Sequence, residues 1–331
     1  MRPSERPAPP PELLDDLVGA GRVLLTGPVQ PDGDSLGACL ALQRVLQSRG
    51  VECAVTGQPS YRYAWMPGID ALLPDDAVQP DWPAVVVLDG DRHRLTPGAR
   101  AAFASAGVRG IIDHHGSTKN DGYTHFWLEP HVGSACEMLY GALERWGVSL
   151  DRPLAEVLYT GLIFDTGAFR YSNTSPESHE MAAALLRAGV DHAAICLHVL
   201  MDRKPSGLRV AAEVFGSTEI VLDGRLAMSS VRLDQRARLG VEDGDLEGLV
   251  ENLVQVQGVE VGVLFIERAD GWVKLSLRSR GSVNVASVAQ ELAPMGGGHA
   301  KAAGVSLQLP ISAIRERVVA AVGDRLSPDA T

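Results

Sequence analysis

Acidic residues and histidines follow several short apolar segments of this sequence. Asp32 and Asp34 follow the first segment, Asp89 follows a later one, and Asp113-His114-His115 follow the next. Clustered carboxylates raise one another's pKa, so such a group needs cations to neutralise it. Mixed carboxylate and imidazole ligands suit Mn²⁺. The residue types therefore predict a manganese site if the fold brings these segments together.

The hydrophobic pattern predicts the elements that would position these side chains. Four short, largely apolar runs are typical of buried parallel strands: residues 23–26, 51–56, 84–88 and 108–112. In an open α/β sheet, ligands bind beyond the carboxyl ends of the strands, which is where the acids fall. Asp165 ends an apolar helical run just before Gly167 and is a further candidate for this crevice.

Helix signals support an α/β first half. Residues 35–49 show helical spacing, and either Asp34 or Ser35 could cap that helix, a role that would not account for Asp32. Ser134 with Glu137 predicts a capping box, and Ser175 precedes a proline at the first position of another helix.

The length of 331 residues fits two domains. Beyond residue 217, Asp223-Gly224 and Asp270-Gly271 mark turns between strand-like runs, the first as a two-residue hairpin, which predicts a smaller mixed sheet with helices. The predicted boundaries are a disordered tail at 1–10, a first domain at 11–190, a linker at 191–216 and a second domain at 217–327.

Composition and charge exclude several classes of protein. Hydrophobic residues at 45% and charged residues at 21% are typical of a globular protein. No apolar run reaches the roughly 18 residues of a membrane span, and the proline-rich start lacks a signal-peptide core, so we expect a cytoplasmic protein without a membrane partner. A net charge of −11 argues against binding long duplex nucleic acid, whereas a small anionic substrate remains compatible if cations supply positive charge.

Four motifs carry a resemblance to a known family. Pro31-Asp32-Gly33-Asp34-Ser35, Asp113-His114-His115 and residues 165–170 (Asp-Thr-Gly-Ala-Phe-Arg) resemble successive motifs of the DHH phosphoesterases. Gly296-Gly297-Gly298-His299, with Ala302-Ala303-Gly304, resembles the glycine-rich signature of their DHH-associated C-terminal domain. Two domains without insertions look most like the nanoRNase/pAp-phosphatase branch. Members of that branch cleave short oligoribonucleotides and linear dinucleotides, and in some cases cyclic di-AMP or phosphoadenosine phosphate (pAp).

The resemblance implies a fold, an activity and roles for individual residues. The fold would be an N-terminal parallel-sheet DHH domain and a smaller mixed α/β C-terminal domain, with the active site in the cleft between them. The activity would be Mn²⁺-dependent hydrolysis of short RNA to mononucleotides, with two ions activating a water. Asp32 would bind the first metal, and Asp34, His114 and Asp165 the second. Asp89 would bridge both ions, while Asp113 and His115 would support or orient the site.

The glycine-rich signature and two arginines are candidates for substrate binding. The backbone amides around Gly297 and Gly298 can approach a phosphate because no side chain intervenes, and His299 can donate to it. A glycine triplet is more often only a flexible turn. Arg278 could add bidentate phosphate contacts, and Arg170 is a weaker candidate. The expected partners are short RNA or small nucleotides, and the family also suggests a homodimer.

One position departs from the family's pattern. The motif usually reads His-x-x-Pro-Asp-x-Asp, and Pro28 occupies the position of that histidine. Proline has no ligating side chain, so the first metal site loses a ligand. Two alternatives to the phosphodiesterase stay open. The missing ligand is the basis for a nucleotide-binding protein with impaired catalysis. An inorganic pyrophosphatase is the other alternative, because the resemblance implies that it shares the N-terminal DHH architecture, although with a different C-terminal domain.

Overall fold

The computed structural model describes residues 8–326, and the chain divides after Asp202 into two compact units. Residues 1–7 of the predicted tail and residue 327 of the predicted second domain lie outside the described residues. The predicted linker at 191–216 contains helices. Ile195 and Val199 pack into the core of the first unit, and Val210 and Val214 into a core of the second.

The first unit, called here the N-terminal domain, contains a five-stranded parallel sheet in the order β2-β1-β3-β4-β5. Its elements are α1 (Leu13–Ala20), β1 (Arg22–Thr26), α2 (Gly33–Gln47), β2 (Glu52–Thr56), β3 (Ala84–Leu88), α3 (Pro97–Ser105), β4 (Val108–Asp113), β5 (His125–Leu128), α4 (Ala135–Leu143), α5 (Arg152–Asp165), α6 (Pro176–Arg187) and α7 (His192–Cys196), which is followed by a π-helical turn (Leu197–Met201). The four predicted strands are confirmed, and β5 is an additional edge strand.

Both faces of this sheet are covered, as the apolar strands predicted. Residues of a strand alternate between faces. Val86 and Leu88 of β3 pack into the core formed with α1, α2, α4 and α5, whereas Val85 and Val87 pack against α3. All five residues of β3 are buried. Asp89, which directly follows β3, and Asp113, the last residue of β4, therefore lie at the same edge of the sheet.

Helix starts agree with the predicted caps in part. The Ser175 hydroxyl accepts from the Ser178 amide at the start of α6, with a proline at the first helical position, as predicted. The Ser134 hydroxyl accepts from the Glu137 amide. The Glu137 carboxylate, however, accepts from the Ser178 hydroxyl at 2.9 Å, so the reciprocal half of the predicted capping box is replaced by a contact between α4 and α6.

Gly161 lets α5 pack closely against α2 and α4. A Cβ atom at this position would lie 2.4 Å from Asp34 Oδ1 and 2.4 Å from Cys136 Sγ. We expect Gly161→Ala to lower the free energy of unfolding by about 1–3 kcal/mol through overpacking, although alanine has the higher helix propensity. Chemical denaturation measures this effect. Gly19→Ala on α1 is the matched control, because no atom lies within 4 Å of its Cβ position. A Gly161→Ala protein as stable as the parent would contradict the packing argument.

The second unit, called here the C-terminal domain, contains a six-stranded mixed sheet in the order β10-β11-β9-β8-β7-β6. Its elements are α8 (Pro205–Gly216), β6 (Glu219–Val221), β7 (Leu226–Val231), α9 (Leu233–Leu239), α10 (Leu249–Leu253), β8 (Val261–Glu267), β9 (Val273–Ser279), α11 (Val285–Leu292), β10 (Gly297–His299), β11 (Ala302–Leu307) and α12 (Ile311–Leu326). Among the described strands of this sheet, only β7 and β8 pair in parallel. The prediction of a smaller second domain with a mixed sheet is confirmed, although its sheet has six strands and that of the first domain has five.

The first hairpin of this domain has a longer loop than predicted. Val221 pairs with Leu226, so four residues rather than two connect the strands. Leu222 and Asp223 adopt positive φ angles of 53° and 54°, which removes Leu222 from the strand and ends the pairing early. Within residues 8–326, no helix has the length and apolarity that crossing a membrane requires.

Candidate metal centre

Four of the predicted metal ligands meet at the carboxyl edge of the parallel sheet. Asp34, Asp89, His114 and Asp165 each offer one ligand atom, and these atoms lie within 4.8 Å of one another. The first three side chains are almost completely buried, and the Asp165 side chain is 16% exposed. Three carboxylates and one imidazole in this arrangement are a donor set that suits a hard or borderline divalent cation.

The ring of His114 is oriented by the backbone. Its Nδ1 lies 3.1 Å from the carbonyl oxygen of Val132, which fixes Nδ1 as the donor. Nε2 then points into the site, 2.9 Å from Asp165 Oδ2 and 3.3 Å from Asp89 Oδ1. A backbone carbonyl that holds the distal nitrogen in this way is the usual support of a metal-binding histidine.

Asp34 is held by the start of α4. Its Oδ2 accepts from the Ala135 amide at 2.6 Å, and its Oδ1 accepts from the Cys136 amide at 3.0 Å. These amides belong to the first turn of the helix, where unpaired N–H groups and the helix dipole favour a negative charge. The contacts fix the carboxylate before any cation binds.

Asp89 has a strained backbone and a buried carboxylate oxygen. Its φ angle is 55°, in the left-handed region, which costs about 1–3 kcal/mol for a non-glycine residue. Its Oδ1 lies 3.3 Å from His114 Nε2 and 3.5 Å from His115 Nδ1. A buried carboxylate oxygen beside an imidazole nitrogen and two further acids is a candidate ligand for a divalent cation.

Asp113 supports both histidines and contributes no atom to the four-ligand group. Its Oδ1 accepts from the His114 amide at 2.9 Å and contacts His115 Nδ1 at 2.7 Å, while the Thr118 hydroxyl donates to Oδ2. Burial alone would raise the pKa of Asp113, but His115 and Thr118 more than offset it, so the pKa is lowered. Asp113 therefore stays ionised and fixes the His115 ring.

Asp32 serves as the N-cap of α2, not as part of the four-ligand group. Its Oδ1 accepts from the amides of Asp34 and Ser35 at 3.0 and 3.1 Å. The expectation that Asp34 or Ser35 would cap this helix was wrong, because the helix begins one residue before Asp34. Within residues 8–326, no group of three possible ligands includes Asp32.

Pro28 lies beside the loop that carries Asp89. A Cβ atom at Gly90 would lie 3.5 Å from Pro28 Cδ. The residue that replaces the family's histidine thus lies beside Gly90, which directly follows the predicted bridging residue Asp89.

Burial and neighbouring charges shift the pKa values of the site in different directions. Burial raises the pKa of Asp34 to about 8, and the charges of Asp165 and Asp89 add to this effect. Burial likewise raises the pKa values of Asp32 and Asp165. For Asp89, burial would raise the pKa, but contacts with His114 and His115 lower it overall. For His114, burial would lower the pKa, but hydrogen bonds to Asp165 and Asp89 raise it well above its usual value.

The raised pKa of Asp34 predicts that Mn²⁺ competes with protons. Below a pH of about 8, Asp34 must release a proton before it can bind a cation. We expect the apparent Mn²⁺ affinity to fall about tenfold per pH unit from pH 8 to pH 6. Calorimetry in buffers of different ionisation enthalpy measures both the affinity and the proton release.

The same shift sets how stability depends on pH in the metal-free protein. The pKa of Asp34 is about 8 in the folded state and near 3.8 in the unfolded state. A group with a raised pKa stabilises the fold fully at pH values below its unfolded pKa. This contribution is lost as the pH rises through the folded pKa. Metal-free protein should therefore unfold at a lower temperature at pH 8 than at pH 6. A Mn²⁺ affinity that stays constant between pH 6 and pH 8 would contradict the predicted competition between Mn²⁺ and protons.

In the C-terminal domain, the predicted phosphate ligands lie in one part of the sheet. Arg278 is on β9, while Gly297, Gly298 and His299 form β10. The glycines also have packing roles, because a Cβ atom at Gly298 would lie 2.4 Å from the Ala302 carbonyl oxygen. Arg170, in the N-terminal domain, donates from Nε to the Gly167 carbonyl oxygen at 2.5 Å.

Several residues that orient the candidate metal ligands have no signal in the sequence. Val132 acts through its carbonyl oxygen and Cys136 through its amide, so their side chains give no indication of these roles. Tyr63 is buried with its ring near Gly33 and edge-on to Phe164, the neighbours of three predicted ligands. A buried tyrosine between two motif loops could be identified only from the packing.

Comparisons with known proteins now identify the family. Residues 22–162 match the DHH family N-terminal domain, and residues 223–326 match the DHHA1 domain. The Thermus thermophilus protein named bifunctional oligoribonuclease and PAP phosphatase NrnA is 31% identical over 308 residues, which cover 93% of this chain and 91% of that protein. The chain belongs to the DHH family. It fits the NrnA branch of these phosphoesterases, as the four motifs predicted.

Solved structures show the same DHH fold. An exopolyphosphatase-related protein from Bacteroides fragilis has a TM-score of 0.83 at 24% identity, covering 96% of this chain and 97% of that one. RecJ from Thermus thermophilus in complex with Mn²⁺ has a TM-score of 0.55 at 16% identity, covering 95% of this chain and 54% of that one. At these identities the likeness concerns the fold alone.

Proposed function

We propose that this DHH protein is a Mn²⁺-dependent phosphodiesterase that hydrolyses short oligoribonucleotides, especially dinucleotides, to mononucleotides. The observation that carries the proposal is the buried group of Asp34, Asp89, His114 and Asp165, in a chain similar over nearly its whole length to a protein named oligoribonuclease and PAP phosphatase. That name also makes pAp a second proposed substrate. Cyclic di-AMP, a homodimer and a cytoplasmic location stay predictions from the sequence.

A divalent cation fits the four-ligand group, and Mn²⁺ is the ion we propose. Asp34, Asp89, His114 and Asp165 would hold it, and the cation would replace the proton of His114 Nε2 that now faces Asp89 Oδ1 and Asp165 Oδ2. When bound, the cation would supply Lewis-acid polarisation of a phosphoryl oxygen and a lowered pKa for a coordinated water. The Val132 carbonyl oxygen orients His114 Nε2, and amides of α4 fix the Asp34 carboxylate. Both side chains therefore already have the orientation in which they would bind the cation.

His115 is the residue proposed to contact the scissile phosphate. Its Nδ1 is held by Asp113, so contact with a substrate would use Nε2. Burial would lower the pKa of His115, but the Asp113 charge raises it overall. A protonated imidazole can donate a hydrogen bond to a phosphate oxygen or give its proton to the leaving oxygen. Asp113 would orient the ring and stabilise its charge.

We propose that the second metal site, formed by the four-ligand group, binds a cation tightly, whereas the first metal site is incomplete. Asp32 and Asp89 are the only described residues that we can name as ligands of the first metal, because Pro28 replaces the histidine of the motif, and the Asp32 carboxylate also caps α2. This arrangement also supports the alternative of a nucleotide-binding protein with impaired catalysis. In contrast, the DHHA1 match over residues 223–326 weighs against the pyrophosphatase alternative.

The C-terminal domain is proposed to bind the substrate through phosphate. Arg278 and His299 supply charge and donors, and Gly297 with Gly298 keep the backbone accessible. The prediction that the substrate lies between the two domains is part of this proposal. Arg170 stays a prediction.

The test compares three substrates at equal concentration with added Mn²⁺: the dinucleotide pApA, pAp and pyrophosphate. We expect pApA to be hydrolysed fastest and pyrophosphate slowest. Faster release of phosphate from pyrophosphate would instead support the pyrophosphatase alternative. Binding of pApA without turnover at any Mn²⁺ concentration would support the nucleotide-binding alternative.

A further inference from the structure

Arg278 and His299 lie in one row across the sheet of the C-terminal domain. Arg278 pairs with Ala302 on β11, and Ala302 pairs with His299 on β10. Directly paired residues of antiparallel strands point to the same face. With strands roughly 4.8 Å apart, the backbones of Arg278 and His299 are separated by roughly 10 Å. Ala302, which lies between them in the row, has only a methyl side chain.

A short helix lies on this face and reaches Arg278. Gly262 of β8 pairs with Arg278 on its other side, and a Cβ atom there would lie 3.0 Å from both Leu253 Cβ and Val254 Cγ1. The glycine therefore lets α10 approach the sheet. Glu251 of α10 places Oε1 2.8 Å from both Nε and Nη2 of Arg278.

Counting donors shows what this ion pair leaves available. Arginine has five N–H groups. Two of them, on Nε and Nη2, face Glu251 Oε1, and one on Nη1 donates to the Leu277 carbonyl oxygen at 3.0 Å. The two that remain, one on each Nη atom, lie side by side at the end of the guanidinium. That pair has the spacing that matches two oxygens of a phosphate.

Among the residues that the structure describes, the Glu251 carboxylate pairs with Arg278 alone. Its side chain is 22% exposed, and its Oε2 is buried and accepts no hydrogen bond from the part of the chain that the structure describes. An arginine without such an anchor has several rotatable bonds and a large choice of rotamers. The carboxylate thus restricts the guanidinium to one orientation.

We propose that Glu251 is a positioning residue for substrate binding, which holds Arg278 so that its two remaining donors face a nucleotide phosphate beside His299. This inference rests on the proposed function. The phosphate would bind end-on to Arg278 without displacing Glu251. Glu251 itself contacts no substrate, so its effect should appear in binding rather than in turnover.

The experiment measures KM and kcat for pApA with Mn²⁺, and the Kd of 5′-AMP by calorimetry. The variants are Glu251→Ala, Glu251→Gln, Arg278→Ala and the double variant Glu251→Ala/Arg278→Ala. Glu213→Ala is the matched control, since Glu213 pairs with Arg238 at 2.8 Å in the same domain. We expect Glu251→Ala to raise KM and Kd about tenfold, as when one charge-assisted phosphate contact is misplaced, with kcat almost unchanged.

The double variant separates positioning from folding. If Glu251 acts through Arg278, adding Glu251→Ala to Arg278→Ala has no further effect. Glu251→Gln keeps an oxygen acceptor, so its KM should be intermediate, and it decides the matter if the alanine variant does not fold. An unchanged or lowered KM in Glu251→Ala, or an equal effect in both backgrounds, would overturn the inference. If wild-type protein hydrolyses nothing, the proposed function fails, while the Kd values for 5′-AMP still decide the role of Glu251.

Discussion

Replacing Asp89 by asparagine is expected to lower kcat for dinucleotide hydrolysis by about 10³-fold, the scale of losing one preorganised electrostatic contact. The same change should abolish tight Mn²⁺ binding, because an amide oxygen is a poor substitute for the one carboxylate proposed to bridge both ions. Asparagine is a suitable replacement since it tolerates the left-handed φ of 55° at this position. The backbone should therefore be unchanged, and the effect should be on the metal.

Two observations separate this effect from misfolding. The metal-free Asp89→Asn protein should unfold in one cooperative transition at a slightly lower temperature than metal-free wild type, because His114 and His115 outweigh burial, lower the pKa of Asp89 and so stabilise its charged form. Asp81→Asn provides a matched control, since Asp81 is an exposed aspartate paired with Arg22. An Asp89→Asn protein that keeps its turnover and its Mn²⁺ affinity would show that the four-ligand group is not the metal site.

Pro28→His is expected to complete the first metal site. The variant should bind two Mn²⁺ ions per chain where the wild type binds one tightly, because an imidazole beside Gly90 would join Asp32 and Asp89. We expect the Mn²⁺ concentration for half-maximal activity to fall by about 10- to 100-fold, a typical effect of a changed metal environment. Calorimetry gives the stoichiometry, and electron paramagnetic resonance distinguishes a coupled pair of ions from a single one.

Pro80→His serves as the control for an added histidine, because Pro80 is exposed and does not neighbour any residue of the four-ligand group in sequence. Wild-type protein that already binds two ions tightly would contradict the proposed incomplete site. It would mean that another group of the chain substitutes for the missing histidine. Activity that appears only in Pro28→His would instead support a protein that has kept the fold and lost the chemistry.

The fold of the N-terminal domain could be predicted where one local pattern determines the structure. Buried parallel strands such as β3 are continuous apolar runs, and the sequence shows them directly. β5 was missed because it is a four-residue edge strand that begins with a polar residue. His125 is buried there only because its Nε2 contacts Asp16 of α1 at 2.9 Å, a contact between residues 109 apart. No local pattern contains that information.

The metal centre could be predicted as a set of acids but not as a geometry. The positions of Asp34, Asp89, His114 and Asp165 followed from strand ends and from the family motifs. Their supports could not be predicted, because Asp34 is held by amides of α4 and His114 by the Val132 carbonyl oxygen, and every residue has such backbone groups. The N-cap role of Asp32 was also missed, since the position of the cap depends on where the helix begins.

The most direct test of the central proposal is the rate of Mn²⁺-dependent hydrolysis of 5′-phosphorylated RNA from two to about ten nucleotides long, the range that short single-strand sites accommodate. The proposal predicts that dinucleotides are converted to mononucleotides fastest, that the rate falls with length, and that chelation of the metal abolishes it. Rates that are independent of length, or no release of mononucleotides at any Mn²⁺ concentration, would contradict it.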